Sequence, residues 1–425
     1  MERVLLLPGR ERVKQTLSRT LRRTDARAQR AVRQDTPDAV TVVLGGGRGN
    51  RLLPLTLKRC KPAMPVGGTY RLVDVSISNS LESGIGRVFV LTQYNSASLN
   101  AHLARTFPQV EVLAAEQTFD SSEWYLGTAD AVRKQLQRIR ESGAREVVVL
   151  AGDHLYRMDL RAFLARHREA RADVTVGVTR VPRATASQFG LLRADDDDMI
   201  VEFVEKPRDP VVIDRFRRGE DCLASMGIYV FRLDALARML EDPRAIDFGM
   251  HVIPRAIAER PVAAFRFDGY WEDLGTVASY HRANVLLAGS RLGQELLAPG
   301  KRFHARPRAL PPARIDGARI RSSIVSDGCI LEEGVEVSGS VLGPETTVKR
   351  GARLEETVVF GGAASAIGEG AVVRRAIVDE DARVGDGAVL ENRAGLASYD
   401  GEQLSVRDGI IVVHQGAAIP AGFVF

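Results

Sequence analysis

The chain of 425 residues is short of several things, and each shortage closes a class of function. It has three cysteines, Cys60, Cys222 and Cys329, far apart in sequence. Neither a disulfide framework nor a zinc site of paired spacing can be built from them, so a reducing compartment, most simply the cytoplasm, is expected. No apolar run approaches the roughly 18 residues that span a bilayer; the longest, such as 147–151, are strand-sized, and no membrane partner is expected. The apolar stretch 4–7 is too short for a signal peptide. Lysine is scarce as well, seven among 59 basic residues, yet two of the seven stand before proline, at Lys61-Pro62 and Lys206-Pro207. An ammonium is a compact point charge where a guanidinium is a planar fork. These two places are read as sites where a fork does not fit against a phosphate.

What remains is an ordinary globular composition, 45% hydrophobic and 27% charged, in a chain long enough for two or three domains. The net charge of +5 has an address: residues 1–40 hold ten basic and five acidic residues, and the rest carries 49 of each sign. A basic arm over 1–37 can attract nucleic acid, a membrane surface or an anionic effector. The plainer reading is preferred, a solvated, partly helical extension with Val13, Leu17 and Leu21 on one face. Nucleic acid is not the expected partner.

From Ala39 onward, β-branched runs at 40–44, 87–91, 146–150, 174–178 and 228–231 alternate with amphipathic stretches such as 131–139. That alternation predicts an α/β fold with a mostly parallel sheet covered on both faces, and ligands beyond the carboxyl ends of its strands. After a proline-rich stretch around 306–312, aliphatic residues recur in steps of six, as at Ile324 and Ile330, Val335 and Val341, or Ile367 and Val373. With turn residues between them they predict a parallel β-helix, a small β-sandwich being the plainer alternative. The organisation expected is an arm (1–37), a catalytic domain (38–290), a linker (291–316) and the β-helix (317–425).

The strand at 40–44 runs into Gly45-Gly46-Gly47-Arg48-Gly49, where backbone amides can close around a phosphate. Neither the dinucleotide fingerprint nor the Walker A loop fits: Leu52 stands where the first needs glycine, and the second needs Gly-Lys-Ser/Thr. The strand at 146–150 ends in Gly152-Asp153-His154, which puts a carboxylate at the mouth of the sheet. Asp273 is a second such carboxylate, although either could be a turn aspartate. A nucleotide-bound Mg²⁺ needs only one or two carboxylates. The acidic run 195–198 reads as a solvated turn, and His154 as neither ligand nor base. Thr128 is the expected N-cap of the amphipathic helix, and Trp124 and Tyr125 are either core or a platform for a base.

Taken together, eight stretches carry a resemblance: GGGRGNRLLPLTLKRCKPAMPVGGTYRLVDVSISN (45–79), VLTQYNSASLNAHL (90–103), WYLGTADAVRKQ (124–135), GDHLYRMD (152–159), FVEKP (203–207), ASMGIYVF (224–231), DFGMHVIP (247–254) and GYWEDLGTVASYHRAN (269–284). From residue 38 to the C-terminus the chain resembles the ADP-glucose pyrophosphorylase (glucose-1-phosphate adenylyltransferase) family of glycogen and starch synthesis. The first loop is shared by sugar nucleotidyltransferases generally; the stretches from WYLGTADAV onward are more particular to the adenylyl enzymes. The resemblance implies a dinucleotide-fold-like nucleotidyltransferase domain, a C-terminal left-handed β-helix and a homotetramer or heterotetramer. It implies that Gly46, Gly47, Gly49, Gln117 and Gly127 bind ATP, and that Arg51 and Lys61 act on the departing pyrophosphate. Asp153 and Asp273 would hold Mg²⁺, with Asp153 also catalytic. Glu205, Lys206, Ser225, Asp247 and Trp271 would form the glucose-1-phosphate pocket. Arg48, Lys58 and Arg59 are the candidates for a phosphorylated-metabolite effector. Gln415 stands where photosynthetic-type relatives carry an effector-binding lysine, and Asn50 where threonine is usual. The alternatives are a non-catalytic regulatory subunit, an enzyme for another nucleotide, and an acyltransferase using the β-helix. The last lacks its usual base, since no histidine lies between His304 and His414.

Overall fold

The computed structural model describes residues 38–115, 124–298, 303–305 and 309–425. The basic arm and Gln117 lie outside the described residues. Among those described, no helix is long and apolar enough to cross a membrane.

The first half is built on a mixed sheet. Ala39–Leu44 lies at its centre, parallel to Glu146–Ala151 on one side and to Val88–Thr92 on the other, with Glu111–Ala114 parallel beyond. Past Glu146–Ala151 the direction reverses, because the long strand Asp221–Arg232 pairs with it antiparallel and goes on to pair with Val174–Pro182. The central strand is buried almost throughout, which is why it reads as an unbroken apolar run rather than an alternation. Helices cover both faces, and the sheet separates two large apolar clusters, with a smaller third around Val181, Ile213 and Phe216.

The amphipathic stretch expected as one helix is two, Thr128–Lys134 and Leu136–Arg140, broken at Gln135. The Gln135 amide bonds the Tyr125 hydroxyl at 2.9 Å instead of facing solvent. The N-cap is Gly127, not Thr128. A side-chain carbon at Gly127 would stand 2.3 Å from the Ile246 carbonyl, so only glycine allows that approach. Residues 291–296, expected as linker, form the helix Arg291–Leu296, and Leu296 is buried in the core. Chain that buries an apolar side chain is not free to act as a spacer.

The second half is a parallel β-helix of three faces. Arg314 pairs with Ile330 and Ile330 with Thr347 on one face; Glu336 pairs with Arg353 on the next; Ile324 pairs with Val341 on the third. Most rungs advance seventeen residues. The step from Arg353 to Val372 takes nineteen, and that from Ile377 to Val412 admits a hairpin, Ser398–Asp400 with Leu404–Arg407. A rung one residue short of three sixes explains why the aliphatic ladder slips in phase along the sequence.

The two halves share a core. Val341, Val358, Phe360, Ile377 and Val412 of the β-helix fall in one buried cluster with Leu52, Val66 and Tyr280. Helix Val277–Gly289 provides the join, and His281 Nε2 bonds the Glu356 carbonyl at 2.6 Å.

Candidate active site

A cleft of about 420 Å³ opens at the carboxyl ends of Ala39–Leu44 and Glu146–Ala151. Of the residues singled out in the sequence, Gly46, Gly47, Gly127, Asp153, Glu205, Lys206, Ser225, Asp247, Trp271 and Asp273 all line it. Residues more than two hundred positions apart therefore meet in one place.

Lys61 sits on the 3-10 turn Lys61–Ala63, and its Nζ lies 2.8 Å from Asp153 Oδ2 and 2.8 Å from Asp273 Oδ1. Burial would lower the lysine pKa, but the two carboxylates raise it above its ordinary value. Burial likewise would push the Asp273 carboxyl up, and the charge of Lys61 holds it at about 2 instead. Two carboxylates converging on one cation fit a nucleotide-borne Mg²⁺, which takes few protein ligands and completes its shell with phosphate oxygens and water. Among the described residues there is no cluster of three or more metal-ligating side chains; Asp153 and Asp273 are the two that could hold such an ion, which would lower the charge of bound phosphates.

The acids are brought together by a small antiparallel pair, His154–Tyr156 with Trp271–Asp273, in which Asp273 stands opposite His154. Arg51 is exposed, and a side-chain carbon at Gly275 would come 2.7 Å from its Nη2 and 3.4 Å from Asp273 Oδ1. That places the guanidinium at the rim of the acidic pair. Gly49 does not line the cleft. Its φ of +68° makes the turn that leads the chain from the glycine loop into Asn50–Leu52.

The far wall comes from three turns. Pairing of Asp221–Arg232 with Val174–Pro182 skips between Ser225 and Tyr229, and this bulge points Ser225, Met226 and Gly227 at the cleft. Lys206 has φ +45°, a strained backbone for a lysine, and is pinned by its amide to the Phe189 carbonyl at 3.2 Å. Its Nζ, on an exposed side chain, reaches Glu205 Oε1 at 2.8 Å, a pair of modest structural worth. Asp247 is already engaged: Oδ1 accepts from the Met250 amide and Oδ2 from the Thr128 hydroxyl, each at 3.0 Å. It ties Phe248–Val252 to the helix that begins at Thr128.

The three effector candidates are not gathered. Arg48 stacks over the Tyr94 ring at 5.9 Å, and Lys58 is exposed. Arg59 lies apart from both, its side chain 4% exposed and paired with Asp379 and Glu380 of the β-helix.

Several lining groups had no signal in the sequence. Phe189 stacks edge-on against Trp271 at 5.4 Å, and Gln93 holds the Tyr125 backbone from both sides. His154, set aside as uninvolved, borders both Asp153 and Trp271.

The family described as "Nucleotidyl transferase" matches residues 40–289, well over half of the chain. The chain belongs to that family. A second match, described as "GlmU-like, C-terminal hexapeptide", covers residues 311–413. The β-helix of this nucleotidyltransferase is thus of the left-handed hexapeptide kind. The two matches in one chain are those of a sugar-1-phosphate nucleotidyltransferase.

Proposed function

We propose that this nucleotidyltransferase passes the adenylyl group of ATP to glucose-1-phosphate, giving ADP-glucose and pyrophosphate for glycogen- or starch-type glucan synthesis. The observation that carries the reading is the meeting of Lys61, Asp153 and Asp273 beside the glycine loop, with Lys206 and Glu205 across the same cleft. The attacking phosphate oxygen is already an anion, so the task is to bring two polyanions together in line. Lys61 and Arg51 would neutralise the departing pyrophosphate, and Lys206 the sugar phosphate. The amides of Gly46 and Gly47 would orient the nucleotide phosphates. A bound Mg²⁺ would supply charge neutralisation and a template for the phosphate oxygens. Glu205 offers a carboxylate to sugar hydroxyls. The adenine choice is supported by the resemblance of residues 124–135.

The GlmU-like match fits a second reading equally, transfer of another nucleotide to a related sugar phosphate. Incubating the protein with Mg²⁺, glucose-1-phosphate and each NTP in turn decides between them. ADP-glucose from ATP alone supports the first reading, and preference for UTP or dTTP the second. No product, even with sugar-phosphate effectors added, would favour the regulatory subunit. Tetrameric assembly and control by phosphorylated metabolites belong to the same proposal; sedimentation and effector titration test them.

A further inference from the structure

Asp153 and Trp271 belong to opposite ends of the proposed reaction, the cation and the sugar, and one side chain touches both. His154 follows Asp153 directly and is 8% exposed. Its ring stands edge-on to Trp271 with centroids 5.2 Å apart. The indole Nε1–H donates to His154 Nδ1 at 3.3 Å. An indole nitrogen can only donate, so Nδ1 accepts and the ring proton of the neutral tautomer lies on Nε2. Nε2 in turn faces Asp153 Oδ1 at 3.6 Å, just beyond a hydrogen bond and a small rotation away from one. Trp271 passes the contact on. It packs against Phe189, whose carbonyl holds the strained backbone of Lys206.

We propose that His154 is a positioning residue whose ring links the carboxylate end of the cleft to the sugar pocket, so that a divalent cation and a sugar phosphate bind cooperatively. An Asp153 carboxylate committed to a cation takes a fixed place. Nε2–H follows it, and the ring's other nitrogen sets the indole that walls the sugar site. The linkage is reciprocal, so a sugar phosphate held under Trp271 orders Asp153 in the same degree. This inference rests on the nucleotidyltransferase reading of the cleft.

The test uses the full chain with Trp124→Phe, which leaves Trp271 as the single indole, since the protein has two tryptophans. Mg²⁺ alone is titrated while Trp271 emission is followed, and Mn²⁺ affinity is measured separately by electron paramagnetic resonance. The expected result is an emission change on Mg²⁺ addition that His154→Ala abolishes while Mn²⁺ affinity stays within about threefold. His154→Gln should restore part of it, because its amide can accept from the indole and donate to Asp153. In the unsubstituted chain the KM for glucose-1-phosphate should fall about fivefold or more between limiting and saturating Mg²⁺, and clearly less in His154→Ala. An emission response in His154→Ala equal to the parent's overturns the proposal, as does a parent that binds Mn²⁺ and shows no response. A parent that neither binds Mn²⁺ nor transfers any nucleotide overturns instead the reading of the cleft.

Discussion

Arg59 and Lys61 are two residues apart on one loop, and each is a single cation between two acids, yet the two regions they serve are opposites. Arg59 turns into the seam between the domains, with Nη1 2.8 Å from Asp379 and Nη2 3.1 Å from Glu380. Lys61 lies behind the cleft wall and reaches two of its lining acids, at 2.8 Å from each of Asp153 and Asp273. The choice of cation follows the task. A planar fork with its donors fixed in direction suits a permanent join, and Arg59 spends a further N–H on the Leu55 carbonyl. A point charge with rotatable donors can leave its acids for a phosphate. One seam acid is sealed off, Asp379 at 4% exposed, while Glu380 at 27% is as open as Asp153 and Asp273 at 27% and 28%. On the proposed reading, pairs of similar charge serve architecture on one side and chemistry on the other.

The comparison breaks first if the cleft pair proves structural. Asp153→Asn should lower turnover about 10³-fold, roughly 4 kcal/mol of transition-state stabilisation, with a melting temperature close to wild type. A large loss of stability with turnover preserved would move Asp153 to the architectural side. Arg59→Met is the mirror experiment. Leaving the buried Asp379 without its cation, while Glu380 keeps Arg71 at 3.7 Å, should cost about 3 kcal/mol of stability in denaturant titration. The double variant Arg59→Met/Asp379→Asn should recover part of that loss, and additivity of the two single losses would dissolve the pair. Third is Lys61→Arg. If the fork cannot replace the point charge, transfer falls about 10²-fold with the charge retained; near-normal turnover would show that the distinction between the two cations does not matter here.

How much of this was legible depends on how local each feature is. The glycine loop and Asp153 could be read because a buried strand, a glycine and the next residue are contiguous, and the sheet mouth is fixed by the strand's end. The β-helix could be read as a ladder of sixes but not as rungs, since the advance of seventeen or nineteen residues is set by corners with no fixed composition. The seam was illegible: Arg59 lies 320 residues from Asp379, and an arginine beside a lysine in a loop reads as a surface cation. The bulge from Ser225 to Tyr229 was hidden for a related reason, because it is a mismatch between two strands and belongs to neither alone. Thr128 carried the right chemistry for an N-cap, but its hydroxyl is taken by Asp247, a partner that only the folded chain brings near.

The smallest effect is also the most diagnostic, because it separates the two regions by pH. Burial pushes the Asp379 carboxyl up to about 6; Arg59 pulls it down, and the neighbouring charge of Glu380 opposes the pull. Arg59, facing both acids, is held charged. The ordinary aspartate value is about 4, so between about pH 4 and 6 the folded chain keeps a proton that the unfolded chain has lost. Stability from this group is therefore full below about pH 4 and declines as pH rises through 6. Asp379→Asn has no such proton to lose, and the other carboxylates cancel in the comparison. The melting temperature of wild type relative to Asp379→Asn should therefore fall from pH 4 to pH 6.5, a contrast worth about 1–2 kcal/mol. Asp273 has the opposite sign: its carboxyl is held down at about 2, so its contribution is present above about pH 4 and lost only in stronger acid. Asp273→Asn should leave the stability difference flat over the same window. If both variants gave the same slope, the seam and the cleft would be electrostatically alike, and the difference in burial would have no consequence.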